Sequence, residues 1–537
     1  MTQIPTQPIV NQKMGTSGLR RKVSEVMNTP HFLENFIQAV FNAVDAKGKT
    51  FVVGGDGRYL NKQALQLILK MAIANQVKHL IVGQDGLLST PTASCMIRKY
   101  KTDGGFILSA SHNPGGKEGD FGIKFDTANG GPCPEEVSRQ IYEHTQKLTF
   151  YSIEEMPDID IHTIQTQTFQ NTQITVKDSV ADYVELMKSL FDFDQIRALL
   201  SSGFRMVYDA MNAVTGPYAQ QIFEKELGAP VGTVLHGQPL EDFGGLHPDP
   251  NLTYAHSLVE IMNAENAPDF GAASDGDGDR NMILGPHFFV NPSDSLAILL
   301  SYAAQRNPKG VFGVARSMPT SLAVDRVAKD LALPVYETPT GWKFFGHLLD
   351  AGRITLCGEE SFGTGSAHIR EKDGLWAILF WLSILAQTHL SVQAVVENMW
   401  KKYGRSYQMR YDFEGVDKKI ADEMIASLRQ KMPTLAGTTL GKWQVEKGDD
   451  FAYTDPVTRE TTEHQGLRVV LKGGGRLLCR LSGTGTQGAT VRVYVEGYEP
   501  TQTHQTSEEV LKPYMDAALS VFEVEKWTGR TQPSVIT

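Results

Sequence analysis

The sequence predicts an α/β protein: three related α/β domains with mixed, mainly parallel sheets, followed by a C-terminal α+β domain. Three observations carry that reading. The chain has 537 residues, material for several cores rather than one. Three long stretches repeat one order of apolar strand, amphipathic helical segment, further strand and strand-ending loop. The last quarter leaves that pattern and becomes strand-rich.

The first stretch opens on FVVGGD (51–56) and continues through Leu65, Ile68, Leu69 and Ile73 at helical spacing. It passes HLIVGQD (79–85) and a second helical segment, and ends in GGFILSASHNP (104–114). The second starts at FRMVYDAMNA (204–213), takes a helix near 216–227 and a strand at APVGTVL, and ends in DFGAASDGDGDR (269–280). The third starts at GVFGVARSM (310–318), takes a helix over 320–332 and the strand LPVYET, and ends in RITLCGEESFG (353–363). In the last quarter a charged helical stretch (417–431) precedes a hairpin that turns at Gly473-Gly474-Gly475 between RVVL and RLLCRL, and a helix near 507–526 closes the chain. Domains are expected at 1–190, 191–292, 293–405 and 406–537.

Composition narrows the function. With 41% hydrophobic and 21% charged residues and no low-complexity tract, the chain is neither disordered, collagenous nor a coiled coil. A net charge of −10 argues against a surface built to hold nucleic acid or anionic lipid, so any phosphate must be met by local Arg and Lys. The longest apolar run, Leu375 to Ala386, is 12 residues, short of the roughly 20 that a bilayer requires, and reads as a buried helix. The polar start MTQIPTQPIVNQK has neither the cationic nor the apolar part of a signal peptide, which gives the cytoplasm as the expected location. Cys95, Cys133, Cys357 and Cys479 are far apart and lack zinc-site spacing, so they are expected as reduced, buried thiols.

Several short matches fail on context. Gly483-Thr-Gly-Thr-Gln-Gly488 has dinucleotide-loop spacing, but ATVRVYVEGY after it alternates like a strand where a helix is needed. Gly48-Lys49-Thr50 ends like a phosphate loop, yet position 43 is Ala and a strand follows. Asp275, Asp277 and Asp279 alternate as in a calcium loop, but Arg280 and Pro286 stand where that loop needs Gly and Glu. Ser111 is not in a nucleophile-elbow sequence.

In open α/β sheets ligands collect beyond the carboxyl ends of strands, so the loops closing the three stretches are where chemistry is expected. In the second loop, three carboxylates separated only by glycines can turn their oxygens toward one hard cation, which also relieves their mutual repulsion. In the first, an apolar strand delivers the Ser111 hydroxyl, the His112 imidazole and an Asn-Pro-Gly-Gly turn; a hydroxyl so placed can accept a phosphoryl group beside a metal. Read alone, Ser111 is more simply a turn-capping residue, and the catalytic reading gains force only beside the aspartate loop. Cations able to grip phosphate are Arg20, Arg21, Arg280, Lys372, Arg480 and Arg492. Arg480-Leu-Ser-Gly-Thr-Gly sets an Arg, the hydroxyls of Ser482 and Thr484 and free backbone N–H groups in one Gly-rich turn. In the third loop Glu359 and Ser361 can bind sugar hydroxyls.

Taken together, KMGTSGLR (13–20), SASHNPGG (109–116), FGIKF (121–125), DGDGDRNMIL (275–284), ETPTGWKFFG (337–346), CGEESFGTGSAHIREKDGLWA (357–377) and RLSGTGTQGATVRVY (480–494) resemble the α-D-phosphohexomutase superfamily, most closely its phosphoglucomutase branch. The likeness extends to EDFGGLHPDPNLTYA (241–255), expected to lie outside the active site. It implies four domains around a central cleft, Ser111 carried as phosphoserine, and Mg²⁺ held by that phosphate with Asp275, Asp277 and Asp279. It implies that Arg20 and Arg280 steady the transferring group, and that Glu359 and Ser361 bind sugar hydroxyls beside Thr340 and Gly341. Thr16, Ser17, Asp279 and Lys124 join the substrate contacts. By the same likeness Arg480, Ser482, Gly483, Thr484 and Arg492 hold the phosphate that is not reacting. His112 and Lys372, with Lys124 nearby, are the candidates for proton handling, with acid and base left open.

The implied reaction is reversible interconversion of glucose 1-phosphate and glucose 6-phosphate, with glucose 1,6-bisphosphate as intermediate and activator. The implied partners are small-molecule sugar phosphates; neither nucleic acid nor membrane is expected, and the expected assembly is a monomer or weak homodimer. Two departures stand out: Met14 where Pro is common, and Ser109 where relatives often have Thr, which puts a second hydroxyl two residues from Ser111. Competing readings are a mutase for mannose or glucosamine phosphate, a non-catalytic sugar-phosphate binder and a Mg²⁺-dependent phosphatase. GEESFGTGS resembles the glucose enzymes, whereas mannose-accepting relatives tend to have GEMSGH.

Overall fold

The alternation of strand and helix is what the chain adopts. A computed structural model describes residues 2–15, 17–482 and 488–537 and divides into two units. One is Met1–Val290 with Gly341–Leu349 and Ser361–Val392; the other is Asn291–Thr340 with Asp350–Glu360 and Gln393–Thr537.

The first unit holds a seven-stranded sheet in the order Leu19–Lys22, Asp120–Thr127, Gly104–Leu108, Thr50–Gly55, His79–Leu87, Thr172–Lys177 and Thr166–Phe169. The four strands from Gly104–Leu108 to Thr172–Lys177 run parallel, and the outer pairings are antiparallel. Helices cover both faces of the parallel centre, which is why Gly104–Leu108 and Thr50–Gly55 read as continuous apolar runs, whereas the outermost parallel strand, Thr172–Lys177, alternates buried and more exposed residues. Phe51 and Val53 enter a core shared with helices Phe32–Ala43 and Asn61–Ala74, whereas Val52 enters the opposite core with helix Thr90–Tyr100. Phe106 meets Phe41, Phe51 and Phe125 edge-on, with ring centroids 5.4, 6.0 and 5.2 Å apart. Helix Thr90–Tyr100 starts where the Ser89 side chain accepts from the Thr92 N–H and Pro91 occupies the first turn.

A five-stranded sheet follows in the same unit, ordered Val234–Leu235, Met206–Asp209, Phe270–Ala273, Met282–Gly285 and Phe288–Phe289. The first three are parallel, and Phe270–Ala273 then turns back antiparallel with Ala273 opposite Met282, so the aspartate loop joins neighbouring strands. The strand expected at APVGTVL shrinks to Val234–Leu235, because Pro230 has no N–H for a ladder and Gly232 sits at φ 95°. The helix expected near 216–227 is Thr215–Ala219 followed by a π-helical stretch, Gln220–Glu226. The polar N-terminus, read only as non-signal, forms strand Thr2–Pro5 against Phe150–Ile153.

The apolar run at 375–386 lies within helix Gly374–Thr388, nearly all of it buried, and no single helix among the described residues is long and apolar enough to cross a membrane. This helix packs on Phe193–Ser201, with Phe380 and Phe191 at 6.2 Å, and its N-cap Asp373 accepts from the Tyr183 hydroxyl at 2.5 Å.

In the second unit Val335–Thr338, Val314–Ser317 and Leu356–Gly358 pair in parallel. The C-terminal part is a seven-stranded antiparallel sheet from Thr439–Leu440 to Val535–Ile536, packed on helices Lys418–Lys431 and Ser507–Val521. The hairpin forms as expected, except that Gly475 already pairs with Leu471. The closing helix breaks at Glu523, φ 51°, and resumes as Val524–Thr528. Arg316 pairs with Asp325 at 2.6 Å and Glu337 at 3.0 Å; Glu337 also takes Arg468 at 2.5 Å, which joins the parallel strands to the antiparallel sheet. All four cysteines are unbridged thiols; Cys95, Cys357 and Cys479 are buried, but Cys133 is only partly so, lying just before the surface helix Glu135–Thr145.

Candidate active site

The loop between Phe270–Ala273 and Met282–Gly285 holds Asp275, Asp277 and Asp279, all buried, with an oxygen of each within 4.8 Å of the others. Glycine at 276 is a steric requirement, because a Cβ there would lie 2.3 Å from the Ser111 carbonyl oxygen. Burial first, then Asp279 and Asp277, push the Asp275 carboxyl well above the carboxylate range. Burial acts on Asp277 in the same direction, but the Lys124 ammonium at 2.5 Å and the Thr90 hydroxyl at 2.6 Å hold it well below. Oδ1 of Asp277 and Oδ1 of Asp279 are buried without a hydrogen-bond partner. Such oxygens are costly unless a cation completes them, and an all-oxygen donor set suits a hard divalent ion. The residues present fit Mg²⁺.

Ser111 leaves the sheet beyond strand Gly104–Leu108 at φ 53°, 3% exposed. Its Oγ donates to Asp275 Oδ2 at 2.7 Å, and His112 Nδ1 lies 3.4 Å from the same oxygen. Desolvation, then Arg280, Arg20, His247 and Lys372, push the His112 imidazole well below its ordinary value, so the ring is neutral at neutral pH.

Cations surround this pair of loops. Arg20 lies opposite Gly122 on the strand that carries Lys124. The turn before it packs on Lys124 so closely that a Cβ at Gly18, φ 89°, would meet the lysine Cγ at 2.9 Å. Ser17 is exposed in that turn, and Thr16 lies outside the described residues. The Arg280 N–H donates to Asp275 at 3.1 Å and its guanidinium pairs with Asp249 at 2.9 Å. Lys372 Nζ is 3.9 Å from Asp279. Burial opposes charge on Lys124, yet Asp277, Asp279 and Glu371 raise its pKa, making it a fixed cation.

Asp249 belongs to the 241–255 segment expected away from the active site. The structure corrects this: the Gly276 N–H donates to the Pro248 carbonyl at 3.2 Å and the Gly116 N–H to the Glu241 carbonyl at 3.0 Å, so the segment braces both loops. Sequence reasoning also missed Asp126 and Glu371. Asp126 is 1% exposed with neither carboxylate oxygen partnered. Burial pushes it up to about 7, with Asp277 adding to the rise and Lys124 opposing it. Glu371 is driven well above its usual range by burial and then by Asp126. Strand periodicity was the available signal for Asp126, which shares a face with Lys124 two residues away.

The remaining expected residues divide between the units. Ser361 and Gly341, the latter at φ 125°, belong to the first. In the second, Glu359 is buried at the end of Leu356–Gly358, and the Thr340 hydroxyl oxygen is buried without a partner. Arg480 and Arg492 are directly opposed on strands Gly475–Ser482 and Ala489–Glu499, with Ser482 opposite Thr490. Like charges opposed on one sheet face repel, and Asp412, 3.4 Å from Arg492, offsets part of this. Paired guanidiniums at a strand end suit a phosphate. Gly483 and Thr484 of the intervening loop lie outside the described residues. A cavity of about 420 Å³ lined by Arg429, Asp450 and His464 adjoins Arg480.

A buried hydroxyl, an oxygen site for a divalent ion and a ring of guanidinium and ammonium groups make up the equipment of a phosphoryl-transfer enzyme. Residues 11–152, 181–287 and 291–403 match the phosphoglucomutase/phosphomannomutase alpha/beta/alpha domains I, II and III, and residues 405–534 match the phosphoglucomutase-1 C-terminal domain. The chain belongs to the phosphoglucomutase/phosphomannomutase family. It is 51% identical to a phosphoglucomutase of Rhizobium radiobacter, over 99% of each chain. It is 49% identical to a cytoplasmic phosphoglucomutase of Populus tremula, over 100% of this chain and 99% of that one. Among solved structures, the open form of the exocytosis-sensitive phosphoprotein pp63/parafusin, a phosphoglucomutase from Paramecium, superposes with a TM-score of 0.93 at 46% identity, covering 100% of this chain and 99% of the other.

Proposed function

We infer that the chain interconverts glucose 1-phosphate and glucose 6-phosphate through a phosphoserine at Ser111. The observation that carries this is the Ser111 hydroxyl, 2.7 Å from Asp275 in a buried loop whose other aspartates keep partnerless oxygens. Asp275, Asp277 and Asp279, with the phosphate on Ser111, would hold Mg²⁺. When bound, the ion offsets the charge that develops on the transferring phosphoryl group.

The sugar's O6 attacks phosphorus: the O6–P bond forms, the P–Oγ bond to Ser111 breaks, the O6 proton passes to a base, and Oγ takes up a proton. Glucose 1,6-bisphosphate results. After it reverses end for end, Ser111 Oγ gives up its proton and attacks the 1-phosphate, O1 is protonated, and glucose 6-phosphate leaves. Neutral His112, 3.4 Å from Oγ, suits the accepting role, and the Lys372 ammonium suits the donating one. Lys124 is bound to Asp277 and stays charged, so it orients rather than shuttles. Arg20 and Arg280 steady the moving group; Thr16, Ser17, Thr340, Gly341, Glu359 and Ser361 line the sugar site.

Arg480 and Arg492, with Ser482, Gly483 and Thr484, grip the phosphate that is not reacting. Their two positive charges, facing one another across neighbouring strands, supply affinity for either phosphate of the reversed intermediate. The four domains are proposed at 1–190, 191–292, 293–405 and 406–537; four matched stretches support the number, with the second match beginning at 181, ahead of the proposed boundary. Sugar phosphates are the partners this reading requires, in a cytoplasmic monomer or weak homodimer; the Populus relative supports that compartment. The test is turnover of glucose 1-phosphate with Mg²⁺ and a trace of glucose 1,6-bisphosphate, beside mannose 1-phosphate. Rapid glucose turnover, abolished by Ser111→Ala, is expected; full activity in that variant would overturn the assignment.

A further inference from the structure

Ser111 has a neighbour that the reaction leaves idle. Ser109 carries the same hydroxyl and is 0% exposed. Its Oγ donates to Asp56 Oδ2 at 2.6 Å and accepts the Ser111 N–H at 2.7 Å. The single hydroxyl proton is thus committed, and one lone pair holds the backbone of the residue that matters.

The other side of Ser111 is held from the same carboxylate. Arg58, side chain fully buried, sets its Nε on both oxygens of Asp56, at 3.1 and 2.9 Å. Its Nη2 donates to the Ser111 carbonyl at 2.7 Å, and its Nη1 to the carbonyls of Asp120 at 2.9 Å and Asn113 at 3.3 Å. Asn61 donates to Asp56 at 3.1 Å, and the Phe243 ring centroid lies 5.1 Å from the guanidinium. The N–H of Ser111 is therefore fixed through Ser109, its carbonyl through Arg58, and both ties end on Asp56.

We propose that Asp56, Arg58 and Ser109 are positioning residues that clamp Ser111 in its left-handed conformation and bar Ser109 from becoming the phosphoryl acceptor. A non-glycine residue at φ 53° persists only where its surroundings impose that backbone. Without the clamp, relaxation toward extended backbone swings Oγ away from Asp275. Arg58 spends its charge on Asp56 and its remaining donors on backbone carbonyls, so it is no phosphate ligand.

This rests on Ser111 as the acceptor, and the test separates the two. Ser109→Ala, Ser109→Thr and Ser111→Ala are compared by kcat per phosphorylatable site, counted by labelling with glucose 1,6-bisphosphate, and the phosphate is mapped by mass spectrometry. For Ser109→Ala, kcat per site is expected to fall about ten- to a hundredfold at little-changed KM, since one lost hydrogen bond accounts for about tenfold and a displaced nucleophile for about a hundredfold. Ser109→Thr, which keeps the hydroxyl, is expected to recover to within about threefold. A merely structural role would lower the number of sites but leave kcat per site and the Ala–Thr contrast unmoved. Ser109→Ala within twofold of the parent, or phosphate on Ser109, overturns the clamp; an active Ser111→Ala defeats the acceptor assignment instead. Arg58→Lys, which loses the fork, is expected to repeat the kcat-only loss.

Discussion

Replacing Asp126 by Asn removes a titration without changing shape, and the structure fixes the sign of the effect. Asp126 is 1% exposed, and burial, with Asp277 adding to it and Lys124 opposing it, raises its carboxyl from 3.8 to about 7. The folded chain therefore holds this proton more tightly than the unfolded chain. The contribution is fully present below about pH 4 and is lost as the pH rises through about 7. A rise of about 3 units, at about 1.4 kcal/mol per unit, makes the ionised carboxylate cost at most about 4 kcal/mol at alkaline pH. Asn carries none of this cost, so Asp126→Asn should match the parent only below about pH 4, gain on it as the pH rises, and exceed its stability by up to about 4 kcal/mol at pH 8.5. Hydrogen exchange at the amides of strand Asp120–Thr127, in saturating Mg²⁺, reads the opening of this unit alone. Parallel pH profiles, or a variant less stable than the parent at pH 8.5, would refute a buried proton on Asp126.

Lys124→Met leaves Asp277 buried without its cation and should destabilise the first unit by about 3–5 kcal/mol, with Asp277→Asn in the same chain restoring part of it; urea unfolding of the parent, the two single variants and the double variant checks this. Arg480→Ala should raise KM about ten- to a hundredfold with a smaller change in kcat, because the phosphate grip proposed for it would serve ground and transition states alike. Chelation of Mg²⁺ should lower the thermal midpoint, and restoring the ion at about a thousandfold over Kd should return about 4 kcal/mol. Calorimetry should find that response missing in a chain with both Asp277→Asn and Asp279→Asn.

The parts legible in the sequence were those whose physics is local. The apolar strands at 51–55 and 104–108 and the glycine-spaced aspartates declare themselves, because burial on both faces and the packing of loop on backbone leave no choice of residue type. The Arg480–Arg492 opposition could have been seen once the 467–482 hairpin was extended by the next strand. What stayed hidden depends on partners far along the chain. Asp249 and Arg280 stand 31 positions apart, and Arg58 and Ser111 stand 53 apart, with nothing in either's neighbours to announce the other. Pro230 and Gly232 did announce that 229–235 would yield little strand, and the alternation around them concealed it.

The path of the chain through its two units sets an order for its own making. Helix Gly374–Thr388 completes the first unit against Phe193–Ser201, yet it follows Val290, where that unit's long first segment ends, by more than 80 residues. At about 5–20 residues per second, the nascent chain waits about 4–17 s with that face of helix Phe193–Ser201 and the Tyr183 hydroxyl uncovered. A fragment ending at 290 would keep that apolar surface permanently bare, so the chain favours synthesis in one piece over assembly from separately expressed domains.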